Sequence, residues 1–426
     1  MARAALAALL LARAVAAVDD PSWDVHTPTN ATCLGGCACP ARLAACVPTA
    51  PSKDMKVFAS SLASLAEHAV DIESIHVVSR KSPEVDRVIA AVNARRHRGR
   101  PEDFVKWFDE DGGHFPFDYA SIKRHLETRS GAHHAGSYQY AVGWYLQQLL
   151  KLYCGRGVAR ADAGGGPGNW TAEDVARAPD RDTLVVDSDV VLLRDVAFVH
   201  GTANGAGRCD ATYAYAFSRE SHGLYYDTNR KLLGDDDGKP LPDAAGRDIS
   251  GVVHHMAMRA DVLAALDARV SALHGAPLYD ALLRPAAGVV AEAHRNAFSE
   301  YQFYFHYARR AFPASVAVRQ LYWANGPGPK TIVECEAADG WPAGAQRGAR
   351  DDADIRAIDF KAGYDYVAYH SYAKRRPCVY GPADDRRDGG ACFGGGCTYS
   401  CFKRRDDARY KARDRSLVAP RLCAAA

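Results

Sequence analysis

The stretch Thr183-Leu-Val-Val-Asp-Ser-Asp189 is the feature that most constrains the fold of this chain. Its first four residues form a mostly apolar run of strand length, and two carboxylates follow almost without a break. In open α/β sheets, ligands bind beyond the carboxyl ends of the strands. Residues two apart in an extended chain point to the same side, so Asp187 and Asp189 can act on one ligand. The stretch therefore predicts a buried strand that delivers two carboxylates to a ligand-binding edge.

Strand and helix patterns alternate along most of the remaining chain, which indicates a largely parallel sheet. The clearest helix covers 138–153, where apolar residues recur at helical spacing. We therefore expect an α/β fold with a mixed, mostly parallel central sheet flanked by helices. The other predicted strands are 74–78, 104–108, 211–217, 251–258 and 364–369, and the other predicted helices are 83–94, 299–310 and one that begins near 260.

The charge balance argues against a dedicated nucleic-acid-binding protein. The 426 residues include 53 Lys and Arg against 51 Asp and Glu, so the formal net charge is +2. A nucleic-acid-binding protein needs a basic excess to neutralise phosphates. Hydrophobic residues make up 48% of the chain, which is ordinary globular usage and excludes a collagen, a coiled coil or a wholly disordered chain.

The first eighteen residues have the layout of a secretory signal peptide. Arg3 precedes an apolar run over 4–12, and Ala14-Val-Ala16 has the pattern of a cleavage site. The run is too short to span a bilayer comfortably and Arg13 interrupts it, so we expect no clear transmembrane anchor. The leader predicts the lumen of the secretory pathway, in the Golgi or the ER, or secretion from the cell.

Twelve cysteines agree with an oxidising compartment, where an even count indicates disulfides. Most of them lie near the two ends of the chain, and their connectivity does not follow from the sequence. Glycosylation sequons at Asn30 and Asn169 fit the same compartment. The predicted organisation is a signal peptide over 1–18, a Cys/Pro-rich segment over 19–52, an α/β domain over 53–376 and a Cys-rich basic extension over 377–426.

The two carboxylates after the buried strand are typical of a divalent-cation site. Asp187 and Asp189 offer hard oxygen ligands, which suit Mn²⁺ or Mg²⁺. A cation there would neutralise the diphosphate of a nucleotide-sugar donor as its glycosidic bond breaks. Three alternatives stay open: a solvated strand exit, a dehalogenase-type phosphatase with Asp187 as nucleophile, and an inactive secreted glycan-binding protein on the same scaffold.

Three histidines lie at predicted strands and are candidates for the same site. His254 and His255 could supply a nitrogen ligand to the cation or contact the donor, and each could equally be a core or edge-strand histidine. His370 follows the last predicted strand and is the candidate late metal ligand. Lys374 could meet a phosphate or belong to a solvated basic run.

Polar residues on two predicted helices and after one strand are further candidates. Ser299 and Gln302 form an S-x-x-Q capping box, which starts a helix with Glu300 at its first position. Glu300 is the candidate general base for an acceptor hydroxyl, and the alternative is a favourable charge at a helix N-terminus. The candidate donor contacts are Trp144, Gln148 and Lys151 on the 138–153 helix, whose alternative is a solvent-facing stripe, and the pair Asp109-Glu110.

Seven short strings occur in order along the chain. They are Phe108-Asp-Glu110, Phe115-Pro-Phe117, Gly143 to Leu152, Leu184 to Asp189, Asn229 to Gly234, His254-His-Met256 and Phe298-Ser-Glu-Tyr301. With these strings the chain resembles the GT-A nucleotide-diphospho-sugar glycosyltransferases, and within them an uncharacterised branch. The resemblance implies a Rossmann-like GT-A domain, a UDP- or GDP-linked sugar donor, Mn²⁺, the DxD pair Asp187 and Asp189, and His370 as late metal ligand. We therefore expect a metal-dependent glycosyltransferase whose acceptor is a glycan, a protein or a lipid.

Overall fold

The computed structural model describes the greater part of the predicted α/β domain. The described residues are 43–50, 55–130, 135–164, 170, 181–203, 209–218, 223–242, 249–293, 297–319, 321, 323–327, 365–370 and 378–380. The predicted signal peptide, the two sequon residues Asn30 and Asn169, Lys374 and all of the Cys-rich extension except 378–380 lie outside them.

Twelve strands and eight α-helices are described. The strands are β1 Leu43–Pro48, β2 Ile72–Ser79, β3 Val105–Asp109, β4 Thr183–Val186, β5 Val190–Leu192, β6 Val199–Ala203, β7 Cys209–Ala216, β8 His255–Met258, β9 Val316–Arg319, β10 Trp323–Pro327, β11 Tyr366–His370 and β12 Cys378–Tyr380. The helices are α1 Met55–His68, α2 Pro83–Ala94, α3 Tyr119–Ser130, α4 Ala135–Asp162, α5 Gly223–Leu233, α6 Ala260–His274, α7 Leu278–Ala293 and α8 Glu300–Ala311.

The central sheet has five strands in the order β3-β2-β1-β4-β8. The first four are parallel, and β8 runs antiparallel to β4. The predicted fold class is therefore confirmed: a mostly parallel central sheet flanked by helices. From β1 the chain continues to β2 and β3 on one side, whereas β4 lies on the other side of β1. This change of direction places a crevice at the carboxyl ends of β1 and β4.

Strand β1 is central to the sheet, although it precedes residue 53, where the α/β domain is predicted to begin. All six of its residues are buried, and they pair with β2 on one side and β4 on the other. A strand covered on both faces shows no alternation of polar and apolar residues. For this reason the sheet begins ten residues earlier than predicted, inside the segment assigned as Cys/Pro-rich.

Two smaller sheets adjoin the central one. β5 forms the edge of a four-stranded sheet ordered β12-β10-β11-β5, and β6, β7 and β9 form a third sheet. Because β5 begins only four residues after β4 ends, the chain passes from the central sheet to the second sheet through Asp187-Ser-Asp189. The candidate ligand-binding residues Asp187 and Asp189 thus lie where two sheets meet.

Helix α4 is joined covalently to the centre of the sheet. A disulfide links Cys46 in β1 to Cys154 in α4, and both side chains are fully buried. This agrees with the prediction that the cysteines form disulfides. Among the described helices, none combines the length and the apolar character that crossing a membrane requires.

Candidate functional site

The turn between β4 and β5 carries the DxD motif to the crevice edge of the central sheet. The N–H of Asp187 donates to the carbonyl of His254 (2.9 Å), and the N–H of Val190 donates to the carbonyl of Asp187 (3.2 Å). The turn is therefore tight and tied to β8. Ser188 between the two carboxylates is buried, while Asp187 and Asp189 are half-buried.

Protein groups from three elements hold the carboxylate of Asp187. Its Oδ1 is paired with the ammonium of Lys151 on α4 and accepts the hydroxyl of Tyr301 on α8 at 3.1 Å. Its Oδ2 accepts the Nδ1–H of His254, just before β8, at 2.9 Å. Both oxygens thus have protein donors.

Lys151 also pairs with Glu300, the first residue of α8. Its Nζ lies 2.6 Å from Glu300 Oε1, and it sits 4.4 Å from the centroid of the Tyr301 ring. The Lys151 side chain is 3% exposed and that of Glu300 is 1% exposed. One buried ammonium is therefore shared by two carboxylates.

The predicted polar stripe of α4 faces inward and not toward solvent. Trp144 donates its Nε1–H to the carbonyl of Phe298 at 3.1 Å. Gln148, which is buried, accepts the N–H of Glu300 through Oε1 at 3.3 Å. Together with Lys151, these side chains dock α4 onto the start of α8. Their predicted role in donor binding stays a prediction, because the contacts described here are all with the protein itself.

The pKa values of the two carboxyl groups in this cluster shift in opposite directions. Burial raises the pKa of the Asp187 carboxyl, but the Lys151 ammonium and the hydrogen bond from His254 outweigh it and hold that pKa far below its usual range. Burial and the nearby Asp187 raise the pKa of Glu300, against the attraction of Lys151. Burial lowers the pKa of Lys151, yet Asp187 and Glu300 raise it to about 12. Asp187 and Lys151 are therefore a permanent ion pair.

The helix start predicted at Ser299 is confirmed. Its hydroxyl accepts the N–H of Gln302 at 3.4 Å, and α8 begins at Glu300. A general base must lie within hydrogen-bond reach of the hydroxyl it deprotonates. The Glu300 carboxylate is buried and faces Lys151, so this arrangement does not present it to an acceptor. Its role as a base stays a prediction.

The two adjacent histidines have different surroundings. His254 faces Asp187, and its ring packs edge-on against Trp323 with centroids 5.2 Å apart. Its φ of 63° lies in the left-handed region, which is unusual for a residue other than glycine. His255, 3% exposed, packs between the rings of Phe198 and Tyr366. His254 is thus a site residue, whereas the contacts of His255 are those of a core residue.

The predicted metal ligands are brought together only in part. In the antiparallel pairing of β5 with β11, Ala368 lies opposite Val190, and His370 ends β11 two residues further on. The register therefore leads the backbone of His370 toward the DxD turn, although its side chain lies outside what the structure describes. Across the described residues, no three His, Cys, Asp or Glu side chains are grouped to hold a metal ion. Both oxygens of Asp187 are already engaged by protein donors, so the predicted metal role of Asp187 is not matched by its contacts here.

Asp109 and Glu110 lie at the same carboxyl edge, at the far side of the sheet. Glu110 Oε1 is 3.2 Å from the guanidinium of Arg80, which also binds Asp111. Burial and Asp111 raise the pKa of Glu110 to about 7. Two strands, β2 and β1, separate this pair from β4. The sheet thus offers carboxylates along one edge, as an extended ligand would require.

Sequence reasoning missed Tyr301 as a site residue and missed the link between α4 and α8. Lys151, Asp187 and Glu300 are far apart in sequence, and no spacing rule connects them. The available signal was the proximity of Tyr301 to Glu300 within the string Phe298-Ser-Glu-Tyr301. At the first turn of a helix, adjacent residues can reach the same buried charge.

The chain has a weak structural likeness to a solved glycosyltransferase. No family model and no curated protein matches the chain. A solved structure of the glycosyltransferase GlyE from Streptococcus pneumoniae TIGR4 matches with a TM-score of 0.27 and 10% sequence identity. The match covers 79% of this chain and 56% of that chain, so the present chain spans little more than half of GlyE. Nothing about donor, acceptor or reaction follows from a likeness of this size.

Proposed function

We propose that the protein is a glycosyltransferase that moves a sugar from a nucleotide-diphosphate donor to an acceptor hydroxyl. The observation that carries the proposal is the position of Asp187-Ser-Asp189. These residues follow a buried parallel strand at the point where the strand order of the sheet changes direction. In open α/β folds, that point is where ligands bind. The acceptor class, glycan, protein or lipid, is left open by the proposal.

In this proposal the nucleotide lies along the carboxyl edge that β1 to β4 share. The Asp109-Glu110 pair is available to the hydroxyl groups or the base of a nucleoside, at the far strand. When bound, Mn²⁺ or Mg²⁺ on Asp189 and His370 would supply positive charge to the diphosphate. Asp187 holds the DxD turn in place through its contacts to Lys151, Tyr301 and His254. The turn is thereby preorganised before any ligand arrives.

A dehalogenase-type phosphatase is supported less well by the same contacts. Its nucleophilic carboxylate must present one oxygen to the phosphorus atom of the substrate. In this structure Oδ1 of Asp187 meets Lys151 and Tyr301, and Oδ2 meets His254.

The buried disulfide between Cys46 and Cys154 favours an oxidising compartment, so we place the proposed reaction in the lumen of the secretory pathway or outside the cell.

Thermal stability with UDP and with GDP, each with and without Mn²⁺, tests the proposal. A ligand that binds only the folded state raises the melting temperature by mass action. We expect a shift that needs both nucleotide and metal, and that is lost in the Asp187→Asn/Asp189→Asn variant. The matched control is Asp235→Asn/Asp236→Asn, which makes the same charge change in an exposed turn and should keep the shift.

No shift with either nucleotide would contradict the proposal. Turnover of phosphate monoesters by the same protein would then support the phosphatase. Binding of glycans without metal or nucleotide would support the inactive glycan-binding protein.

A further inference from the structure

The ammonium of Lys151 is surrounded as a bound cation would be. It contacts a carboxylate oxygen of Asp187 and one of Glu300, and it lies over the face of the Tyr301 ring. The three groups come from the DxD turn and the first two residues of α8. With 3% of the Lys151 side chain exposed, water has little access to this charge.

The two carboxylates converge on one positive charge. Lys151 Nζ lies 2.6 Å from Glu300 Oε1, the separation of a short charge-assisted hydrogen bond, and it also pairs with Oδ1 of Asp187. The second oxygen of Asp187 is held by His254 at 2.9 Å, which fixes the carboxylate plane. Two carboxylates converge on one centre, and the chain itself fills that centre.

A divalent cation and Lys151 cannot share this place. The buried carboxylate of Glu300 and the half-buried one of Asp187 need compensating positive charge, since an unpaired buried charge is very costly. Lys151 provides one positive charge for the pair. A divalent ion added within a few ångströms of the ammonium would meet like-charge repulsion in a medium that screens it poorly.

We propose that the Lys151 ammonium is the resident cation of the Asp187–Glu300 carboxylate pair, at the position where a divalent cation would otherwise bridge them. Any divalent cation of this site is then held through Asp189 and not through Asp187. The statement about Asp189 rests on the proposed function. The statement about Lys151 does not depend on it.

Mn²⁺ alone, without nucleotide, is the probe for the test. The full chain, with its disulfide intact and metal removed by a chelator, is compared with Lys151→Met, which keeps the length of the side chain and removes its charge. Bound Mn²⁺ is counted by electron paramagnetic resonance, and melting temperatures are measured with and without Mn²⁺. We expect Lys151→Met to bind one Mn²⁺ more per chain than the wild type and to melt higher when Mn²⁺ is present.

Two control variants define the site. Lys151→Met/Glu300→Gln should lose the additional Mn²⁺, because only one carboxylate remains charged. Arg156→Met removes a second buried cation of α4 and should gain no Mn²⁺, since its partner Asp267 also accepts the N–H of Leu278. Wild-type stoichiometry and an unchanged melting temperature in folded Lys151→Met would overturn the proposal.

A refolding arm and an Asp189→Asn arm cover the case in which Lys151→Met does not stay folded. Refolding from urea that succeeds only with Mn²⁺ supports the proposal. If neither condition recovers Lys151→Met, the Asp189→Asn variant is tested instead. We expect Asp189→Asn to lose the Mn²⁺ that the wild type binds. If Asp189→Asn, with Asp187 and Glu300 intact, still binds that Mn²⁺, the proposal is overturned. A wild type that binds no Mn²⁺ counts against the metal of the proposed function, whereas the Lys151→Met arm still tests the resident cation.

Discussion

Lys151 and Arg156 lie on the same helix, α4, and each buries its charge against an acidic partner, but their surroundings differ. Arg156 pairs with Asp267 of α6 at 2.9 Å, and the other oxygen of Asp267 accepts the N–H of Leu278 at the start of α7. That carboxylate therefore ties three helices together. Lys151 instead meets two carboxylates at the carboxyl edge of the sheet. One of them, Asp187, also binds His254, whose backbone lies in the left-handed region.

The difference separates a buried ion pair that supports packing from one that organises a site. Around Arg156, the acidic partner is completed by a backbone donor, as in an ordinary helix junction. Around Lys151, two acids compete for one ammonium, and the pKa of Glu300 is raised while that of Asp187 is lowered. Perturbed ionisation of this kind clusters at functional sites. This agrees with the proposed location of the site at the Lys151 cluster.

Loss of the Lys151 charge should have the largest effect on stability. Lys151→Met leaves the buried Glu300 and the half-buried Asp187 without their cation, and breaking a buried pair costs about 3–5 kcal/mol. We expect the loss to lie near the upper end, measured by urea denaturation in the presence of a chelator. Lys151→Met/Glu300→Gln should regain part of it. A loss below that of Arg156→Met would contradict the distinction between the two clusters.

Loss of Arg156 should rank second. Arg156→Met leaves Asp267 with the N–H of Leu278 as a remaining partner, so we expect a loss of about 3 kcal/mol. Nucleotide binding, read as a thermal shift, should persist at temperatures where the variant is folded. An equal loss of nucleotide binding in Arg156→Met and Lys151→Met would show that both clusters serve the same purpose.

Adjacent glutamines on α4 allow a finer comparison. Gln148 is buried and accepts the N–H of Glu300, whereas Gln147 is partly exposed. Gln148→Leu leaves that buried N–H without its partner and should cost about 1–2 kcal/mol in urea denaturation. Gln147→Leu, the matched control, should change stability by less than about 0.5 kcal/mol. Equal effects of the two changes would mean that the contact with Glu300 contributes little.

Substitution of Glu110 should have the smallest effect on stability. The cation beside this carboxylate, Arg80, is half exposed and not buried. Its pKa is raised from 4.5 to about 7, so the folded state binds more protons than the unfolded state between these values. The free energy of unfolding should therefore fall as pH rises from about 4.5 to about 7. Glu110→Gln should remove this dependence, which we expect to be on the order of 1 kcal/mol because the Asp111 side chain is 44% exposed and solvent screens its repulsion of Glu110. Parallel pH profiles of the two proteins would contradict the assignment.

Local pattern predicted much of the fold. The helix predicted over 83–94 coincides with α2, and the predicted strand at Thr183 to Val186 coincides with β4. Helix α6 begins at Ala260, as expected. These elements are defined by residues within one short window, so periodicity and capping signals suffice. β1 was missed because a strand buried on both faces carries no such signal.

The site was predictable only at the level of single residues. Asp187, Lys151 and Glu300 were each singled out from the sequence, but as a metal ligand, a donor contact and a base. The structure places them in one cluster because β4, α4 and α8 meet there. Contacts between distant segments depend on packing, which a single sequence does not encode in any fixed spacing. For the same reason His255 was indistinguishable from His254 until the aromatic rings around it were seen.

The disulfide between Cys46 and Cys154 has a mechanical consequence. It closes a loop with a sequence separation of 108, and this loop contains β2 and β3 entire. Under a stretching force applied to the two ends of the chain, tension would bypass these strands through the covalent bond. About 390 Å of chain, at roughly 3.6 Å per residue, would stay hidden from the force. A reductant would release that length, so two of the five strands of the central sheet are shielded from pulling, whereas β4, which leads into the DxD turn, is not.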